Sequence, residues 1–421
     1  MIKIKNIKAR EILSSMGAPT VEADVLLENG VMGRASVPFG ASAGIHEAHI
    51  LFDNDPKRYY GKGMQKACRN VNNVIAKALV GKLVSNPQKI DEILIDLDGT
   101  SNKKKLGGNS ILAVSLAAAR AAAQSVDKPL YKFIREKYKL PYKEWILPKP
   151  MMVVIEGGKH AAKSTDFQEY IISVCGQASA RELIRWGEET YYALKGLLEE
   201  KGLSTNVGNE GAFAPPGIET NEEPLKLITA AIKKAGYSPG KDIAISLDPA
   251  ASEFYEADEG RYLLKREHAA LSSDQMIALY DEWLTKYPIL SVEDGLAEDD
   301  WSGWSKMYKK LSSKTRVIGD DLTVTNKKRI QKAIDEQVIN AVLIKLNQIG
   351  TLSETVEAIQ LGQQHGFWQI ISHRGGGETT DSFMIDLGVA VNAEYFKVGP
   401  SRGERTAKYN RLIRIEEELG K

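Results

Sequence analysis

The sequence has few cysteines, no excess of either charge and no long apolar run. Among its 421 residues only Cys68 and Cys175 carry thiols, which fits a reducing compartment and argues against a disulfide framework. The formal net charge of +1 leaves no overall field that would attract nucleic acid or a membrane surface. The most apolar long stretch, residues 111–123, contains Arg120 and is too short to cross a bilayer. We therefore expect a cytoplasmic protein that binds neither nucleic acid nor membrane, and whose first residues form a strand instead of a signal peptide.

What the sequence does contain is two regions with different patterns. Apolar and polar residues alternate over residues 1–40, which is typical of strands, whereas apolar residues recur at helical spacing over 63–80 and 111–123. Strands followed by helices predict an N-terminal α+β domain, which we place at residues 1–140. A proline-containing segment follows and marks the start of a second domain at residues 141–421.

The second region repeats one unit. Short apolar runs each end in a polar residue, a helical pattern follows, and the later polar residues lie roughly 25 positions apart, the length of one strand plus one helix. This pattern predicts an α/β fold of the (β/α) barrel kind, in which the C-terminal ends of the strands meet at one rim. Any single polar residue after a strand is uninformative, but six of complementary types predict an active site there: Asp248, Glu293, Asp320, Lys345, His373 and Lys397.

Three of the six are carboxylates. Asp248, Glu293 and Asp320 would repel one another on neighbouring strands unless a cation lay between them. Ligands that are all oxygen favour Mg²⁺ over zinc or copper. The sequence therefore predicts a magnesium site at this rim.

Lysines and further acids complete the chemistry. We expect a depressed pKa for a lysine such as Lys345 that faces Mg²⁺ and a second lysine, Lys397, which makes a general base for a proton beside a carboxylate. The alternative for these lysines is a surface charge or a salt bridge to the carboxylates. Either Glu169 or Glu210 could protonate a leaving hydroxyl, as a β-elimination requires.

An anion site is predicted next to His373. Arg374 offers a bidentate partner for phosphate or carboxylate. The glycines at 375–377 that follow could accept an anion through their backbone N–H groups, or form a plain flexible turn, and the residues alone do not separate the two.

The sequence resembles the enolase (phosphopyruvate hydratase) family from Arg10 to Leu419. Many long segments match in order, which makes the resemblance highly specific. They include Arg10-Glu-Ile-Leu13, Leu97-Asp-Gly-Thr100, Gly157-Gly-Lys-His160, Leu247-Asp-Pro-Ala-Ala-Ser-Glu-Phe254, Ser291-Val-Glu-Asp294, Gly319-Asp-Asp-Leu322, Leu343-Ile-Lys345 and Ser372-His-Arg374.

The resemblance implies a modified barrel of the β₂α₂(βα)₆ kind and reversible dehydration of 2-phosphoglycerate to phosphoenolpyruvate. It implies two Mg²⁺ ions per active site, the first on Asp248, Glu293 and Asp320 and the second, bound with substrate, at Ser42. It also implies a homodimer, because Arg10, Glu22 and Arg414 match positions at the two-fold interface of the family.

The resemblance further assigns roles to single residues. Lys345 matches the base that removes the C2 proton, and Glu210 the acid that assists loss of the C3 hydroxyl, with Glu169 beside it. Lys397 matches the lysine that holds the substrate carboxylate, and His373 stands with these catalytic groups. The expected substrate contacts, including those to phosphate, are His160, Gln168, Arg374, Gly375, Gly376 and Ser42.

Departures from the family pattern concentrate in the loops around the substrate. The family's Ser-Gly-Ala-Ser-Thr-Gly becomes Phe39-Gly-Ala-Ser-Ala-Gly44, its Asn-Gly-Gly becomes Glu156-Gly-Gly158, and its Gly-Asp-Glu-Gly-Gly becomes Gly208-Asn-Glu-Gly-Ala212. Its Ser-His-Arg-Ser-Gly-Glu becomes Ser372-His-Arg-Gly-Gly-Gly-Glu378, which loses a hydroxyl and adds a residue, and an early Asp-Ser-Arg-Gly-Asn-Pro becomes Ser14-Ser-Met-Gly-Ala-Pro19.

Three functional readings follow from this pattern. The changed loops suggest a paralogue retuned for a relative of 2-phosphoglycerate, as in the carboxyphosphonoenolpyruvate synthase of phosphonate pathways. Drift within an ordinary glycolytic enzyme explains the same changes equally well. A non-catalytic binding protein would have lost metal ligands or the lysine base, and neither is lost.

Overall fold

A computed structural model describes residues 2–40, 44, 46–161 and 163–421. Its N-terminal part is an antiparallel sheet against which helices pack, as the alternating and helical patterns predict. The strands are β1 (Ile4–Leu13), β2 (Pro19–Leu27) and β3 (Met32–Ser36). The helices are α1 (Gln65–Asn70), which continues through a π-helical turn (Val71–Ile75) into α2 (Ala76–Leu79), then α3 (Pro87–Asp98), α4 (Gly108–Gln124) and α5 (Leu130–Lys137), preceded by a 3₁₀ turn at Tyr59–Gly61.

The rest of the chain forms a barrel with helices outside it. The barrel strands are β4 (Lys149–Glu156), β5 (Glu169–Val174), β6 (Ile243–Asp248), β10 (Ile289–Glu293), β11 (Arg316–Gly319), β12 (Ala341–Ile344), β13 (Trp368–Ser372) and β14 (Tyr395–Val398). A small antiparallel sheet of β7 (Tyr255–Glu256), β8 (Arg261–Leu264) and β9 (Ala269–Leu271) follows β6. The helices are α6 (Ala180–Glu200), α7 (Glu223–Lys234), α8 (Ser273–Lys286), α9 (Trp301–Leu311), α10 (Lys327–Asp335), α11 (Leu346–Ile349), α12 (Leu352–Gln364), α13 (Phe383–Ala390) and α14 (Thr406–Glu418), with 3₁₀ turns at Ala251–Phe254 and Gly403–Arg405.

The barrel is closed but not uniformly parallel. Within the described residues the strands follow the order β10-β11-β12-β13-β14-β4-β5-β6 around the ring. Strand β5 runs antiparallel to both β4 and β6, whereas the remaining neighbours pair in parallel. Two strands, two helices and then alternating strands and helices are the β₂α₂(βα)₆ arrangement, so the predicted fold class is confirmed.

Apolar side chains fill the barrel interior below the rim. Met151 and Val153 of β4, Ala341 and Leu343 of β12 and Ile171 of β5 are buried in one cluster, separate from the larger core between strands and helices. Residues two apart on a strand point to the same face, so these positions alternate with side chains that pack against the outer helices. The barrel is therefore a packed support for its rim and not a pore.

The N-terminal domain packs closely on itself and on the barrel. A Cβ added to Gly33 would lie 2.1 Å from the carbonyl oxygen of Ala117, so glycine lets β3 approach the alanine-rich helix α4. Arg120 of α4 binds Asp381 of the β13–α13 loop through two hydrogen bonds of 2.5 and 2.7 Å and links the two domains. None of the helices among the described residues is both long and apolar enough to cross a membrane. The domain boundary at residues 140–141 stays a prediction.

Candidate active site

The strands bring most of the predicted site residues to one cavity at the C-terminal rim of the barrel. Asp248 and Glu293 end β6 and β10, and Asp320, Lys345 and His373 directly follow β11, β12 and β13. Predicted residues that line the cavity are His160, Gln168, Glu169, Glu210, Asp248, Asp320, Lys345, His373, Arg374, Gly375 and Lys397.

Two predicted residues among those described do not line the cavity, and a third lies outside the described residues. Glu293 is absent from the lining but bonds a lining residue, Lys397, at 2.6 Å. Gly376 points its carbonyl oxygen at the Ser15 hydroxyl, 3.1 Å away. Ser42 lies outside the described residues, so the site of the second Mg²⁺ stays a prediction.

Lys397 sits at the centre of a buried group of carboxylates. Its Nζ lies 2.6 Å from Glu293, 2.8 Å from Glu169 and 3.0 Å from Asp248. Burial opposes the charge of Lys397, but these carboxylates outweigh it and raise the pKa of Lys397 well above its usual range. Burial likewise raises the pKa of Asp248 and, together with the charge of Asp248, that of Glu293. Lys397 is therefore a fixed positive charge at this rim.

Lys345 pairs with the third carboxylate. Its Nζ bonds Asp320 Oδ2, and Gln348 Nε2 donates to the other oxygen of Asp320 at 2.8 Å. Burial opposes the charge of Lys345, but Asp320 outweighs burial and the repulsion from Arg374 and Lys397, so the pKa of Lys345 is raised. A depressed pKa for Lys345 was predicted for the site with Mg²⁺ bound and stays a prediction, whereas the salt bridge to a carboxylate, the alternative for this lysine, is present.

The oxygen ligands at this rim fit a bound cation. Glu293 Oε2 is buried and has no hydrogen-bond partner among the described residues, so a ligand atom remains open there. Asp320 also forms, with Asp294 and Asp321, a group whose ligand atoms lie within 4.8 Å of one another. In the part of the chain described, Asp248, Glu293 and Asp320 do not form such a compact group, and each of them bonds a lysine. Acidic clusters that can hold a metal are therefore present at the rim.

A second set of titratable groups surrounds Glu210. His373 Nε2 lies 3.1 Å from Glu210 Oε2, and Arg405 Nε donates to His373 Nδ1 at 3.3 Å. Because a guanidinium only donates, Nδ1 must accept, and the ring hydrogen lies on Nε2, where it is donated to Glu210. Burial and then the charge of Arg405 hold the pKa of His373 well below its usual range, so this ring is neutral.

His160 lies between the two candidate acids. Its Nδ1 is 3.4 Å from Glu169 Oε1 and 3.4 Å from Glu210 Oε1. The environments of the two acids differ, since Glu169 pairs with Lys397 whereas Glu210 bonds neutral His373. The two candidate acids therefore differ in partner, an ammonium group for Glu169 and an imidazole ring for Glu210.

Arg374 is anchored on both its backbone and its side chain. Its Nη1 bonds Glu47 Oε1 at 3.1 Å, and its backbone N–H donates to Glu378 at 3.0 Å. Glu378 is itself held by Lys408, 3.2 Å away. These contacts fix the guanidinium at the cavity, where it can meet an anionic group of a ligand.

The loops that depart from the family pattern contact one another. Phe39 and Gly377 exchange two backbone hydrogen bonds of 3.0 and 2.8 Å, and a Cβ on Gly377 would lie 2.2 Å from the Phe39 ring. The Ser15 hydroxyl bonds the carbonyl oxygen of Gly376. A Cβ on Gly375 would lie 2.0 Å from Glu210 Oε1, so glycine lets this loop approach the candidate acid.

Sequence reasoning missed several buried residues that hold the site. Asp294 accepts the backbone N–H groups of Asp320 and Asp321, and its burial raises its pKa well above the usual range. The signal was available, because a second acid directly follows Glu293 and another follows Asp320. Glu47 and Arg405 carried no such signal, since each lies far in sequence from the residue that it contacts.

The fold and site define a class of protein: a (β/α)₈-type barrel whose rim gathers buried carboxylates, two lysines and two histidines around one cavity. Residues 4–134 match the family model described as the enolase N-terminal domain, and residues 144–421 match that of the enolase C-terminal TIM barrel domain. The chain belongs to the enolase family. It is thus a lyase of the enolase superfamily, as the sequence resemblance implied.

Proposed function

We propose that this protein is a Mg²⁺-dependent carbon–oxygen lyase that interconverts 2-phosphoglycerate and phosphoenolpyruvate. The observation that carries the proposal is that one cavity is lined by a lysine bonded to a buried carboxylate, Lys345 with Asp320, and by an acid bonded to a neutral histidine, Glu210 with His373. A β-elimination beside a carboxylate requires one group that takes the proton and another that protonates the leaving hydroxyl.

The chain's own residues divide the work as follows. Lys345 Nζ, after it has released its own proton, accepts the C2 proton of the substrate. Glu210 donates a proton to the C3 hydroxyl as it leaves, while His373 and His160 hold its two oxygens. Lys397 keeps its charge and binds the substrate carboxylate. Arg374 binds the phosphoryl group.

Asp248, Glu293 and Asp320 would hold the first Mg²⁺, and Ser42 would contribute to a second that binds with substrate. When bound, Mg²⁺ supplies positive charge that stabilises the electron-rich carboxylate formed as the C2 proton leaves. With two unpaired cysteines, Cys68 and Cys175, we place the protein in the cytoplasm.

The test is turnover of 2-phosphoglycerate by the purified protein with Mg²⁺, measured as phosphoenolpyruvate formed. We expect a rate of roughly 1–10³ s⁻¹ that a chelator abolishes. Asp320→Asn should weaken Mg²⁺ binding in calorimetry by at least tenfold, whereas Asp258→Asn, at an exposed position before β8, serves as the matched control. No turnover by a folded protein that binds Mg²⁺ would overturn the glycolytic assignment.

A second candidate is a retuned paralogue that acts on an analogue with a changed phosphoryl group. It is supported by the contacts among the departing loops, in which Phe39 meets Gly377 and Ser15 meets Gly376 beside Arg374. Parallel assays with 2-phosphoglycerate and with a phosphonate analogue that carries an added carboxyl group distinguish the two. Preference for 2-phosphoglycerate would contradict this second candidate.

A further inference from the structure

Glu156, which stands where the family pattern has asparagine, lies beneath Glu210. It ends β4 and is 0% exposed. Its Oε1 accepts the backbone N–H of Glu210 at 2.9 Å and that of Ala212 at 3.0 Å. A single oxygen of the Glu156 carboxyl group thus accepts backbone N–H groups from both Glu210 and Ala212.

These two bonds belong to a tight turn at residues 208–212 that is tied to the end of β4. Gly208 N–H donates to Ala212 O at 2.9 Å. The backbone N–H of Glu156 donates to the carbonyl oxygen of Phe213, also at 2.9 Å. A Cβ on Gly208 would lie 2.5 Å from Glu156 Oε2, so glycine makes room for the carboxyl group. The side chain therefore fills the turn that presents Glu210 to His373 and His160.

The surroundings of Glu156 disfavour a negative charge. The titratable groups that act on it are Glu210 in the turn, Glu169 on the paired strand β5 and the Tyr191 hydroxyl on α6. No ion pair joins Glu156 to a cation within the described ranges, and its Oε2 has no hydrogen-bond partner there. Burial and then the charge of Glu210 raise the pKa of Glu156 to about 9, against the smaller opposite effect of the two N–H groups.

We infer that Glu156 is a positioning residue that holds the Glu210 turn as a neutral carboxylic acid. Its carbonyl oxygen accepts the same two N–H bonds that an amide would accept, without placing a second negative charge beside Glu210 and Glu169. The role of Glu156 in catalysis rests on the proposed function, because Glu156 acts only through Glu210.

Two variants test this role in the full-length protein. Glu156→Gln keeps the carbonyl acceptor and the chain length, so we expect its kcat at pH 7 to stay within about threefold of the unmodified protein. Glu156→Ala removes the acceptor and should lower kcat at least tenfold with little change in KM, because Glu210 acts in the chemical step. The activity of the unmodified protein should fall above about pH 9 and that of Glu156→Gln should not. Equal loss in both variants, or identical pH profiles, would overturn the inference.

Two measurements need no turnover and keep this inference separate from the proposed reaction. Because the folded pKa of Glu156 exceeds its unfolded value, its contribution to stability is full at low pH and is lost as pH rises through about 9. The Tm of Glu156→Gln minus that of the unmodified protein should therefore rise from pH 5 to 9 and then level off. In histidine-labelled protein, the ¹⁵N signal of His373 should move in Glu156→Ala and stay in Glu156→Gln. A constant Tm difference, or an unmoved His373 signal in Glu156→Ala, would contradict the inference even if 2-phosphoglycerate is not the substrate.

Discussion

At the scale of single residues, the central pair is Lys345 and Asp320. Asp320 attracts the ammonium of Lys345 strongly enough to overcome its burial, and Gln348 orients the carboxylate from the other side. A base at this position must release its proton to act, so its environment matters as much as its identity. Metal and lysine therefore share one carboxylate in the proposed chemistry.

Replacing Lys345 by glutamine should abolish most of the activity and leave the metal site intact. A general base contributes roughly 10²–10⁴-fold to rate, so we expect kcat to fall by at least two orders of magnitude. Mg²⁺ binding, followed by calorimetry, should remain within threefold of the unmodified protein because Asp248, Glu293 and Asp320 are unchanged. Lys309→Gln, on the exposed face of α9, is the control and should behave like the unmodified protein. Retained turnover in Lys345→Gln would remove this lysine from the mechanism.

At the scale of elements, the loop after β13 packs closely against side chains of other loops at the rim. Gly375 lies against Glu210 and His160, and Gly377 lies against Phe39. Gly375 and Gly377 are therefore required for close approach to neighbouring side chains.

Gly375→Ala should impair catalysis without unfolding the protein. The added Cβ would lie 2.0 Å from Glu210 Oε1 and 2.6 Å from His160 Cε1, so one of these buried side chains must move. We expect at least a tenfold fall in kcat, measured with the substrate that the enzyme turns over, and a Tm change of only a few degrees. Gly196→Ala on α6, whose Cβ would meet only the end of Lys234 at 3.8 Å, should be neutral or slightly stabilising. If Gly375→Ala has the same kcat as the unmodified protein, the loop can move to accommodate the added Cβ and the prediction is contradicted.

At the scale of the whole molecule, the N-terminal domain is fastened to the barrel by buried charge. Asp381 binds Arg120 of α4, the Ser36 backbone of β3 and the Phe383 backbone of α13. Burial opposes the charge of Asp381, but Arg120 outweighs it, and the pKa of Asp381 is lowered. The pair thus joins elements of both domains at one point.

Arg120→Met should destabilise the protein by about 3–5 kcal/mol, because it leaves Asp381 buried without its partner. Asp381 has a folded pKa below its unfolded value, so its contribution is present at neutral pH and is lost as pH falls through the folded pKa. In Arg120→Met, this loss of unfolding free energy on acidification should disappear. Urea unfolding of Arg120→Met, of Asp381→Asn and of the double variant measures the coupling between the two residues. If the two losses of unfolding free energy simply add in the double variant, a direct interaction is contradicted.

We also predict a homodimer. Light scattering after size exclusion should give about 93 kDa, twice the 46.4 kDa of one chain. Arg10 and Glu22, matched to the family's two-fold interface, pair with each other at 2.6 Å within this chain, and Arg414 is exposed. A mass of one chain at micromolar concentration would contradict the prediction.

The sequence by itself determined the barrel and the residue types at its rim. Residues at strand ends, such as Asp248, Lys345 and His373, could be predicted because the period of strand and helix places the C-terminal ends of the parallel strands at the same rim. The same local logic identified the strands of the N-terminal sheet and the helix at α4, where apolar residues recur at the spacing of a strand or of a helix.

Only the tertiary structure decided which of these groups touch. The contacts between Lys345 and Asp320, Glu47 and Arg374, Arg405 and His373, and Glu156 and the Glu210 turn join residues that are 25 to 327 positions apart. No local pattern encodes such pairs, and it is the pairs that set pKa directions, tautomers and loop distances. The raised pKa of Lys345 follows from such a pair, because the sign of a shift depends on the charges nearest to the group and not on the residue types present.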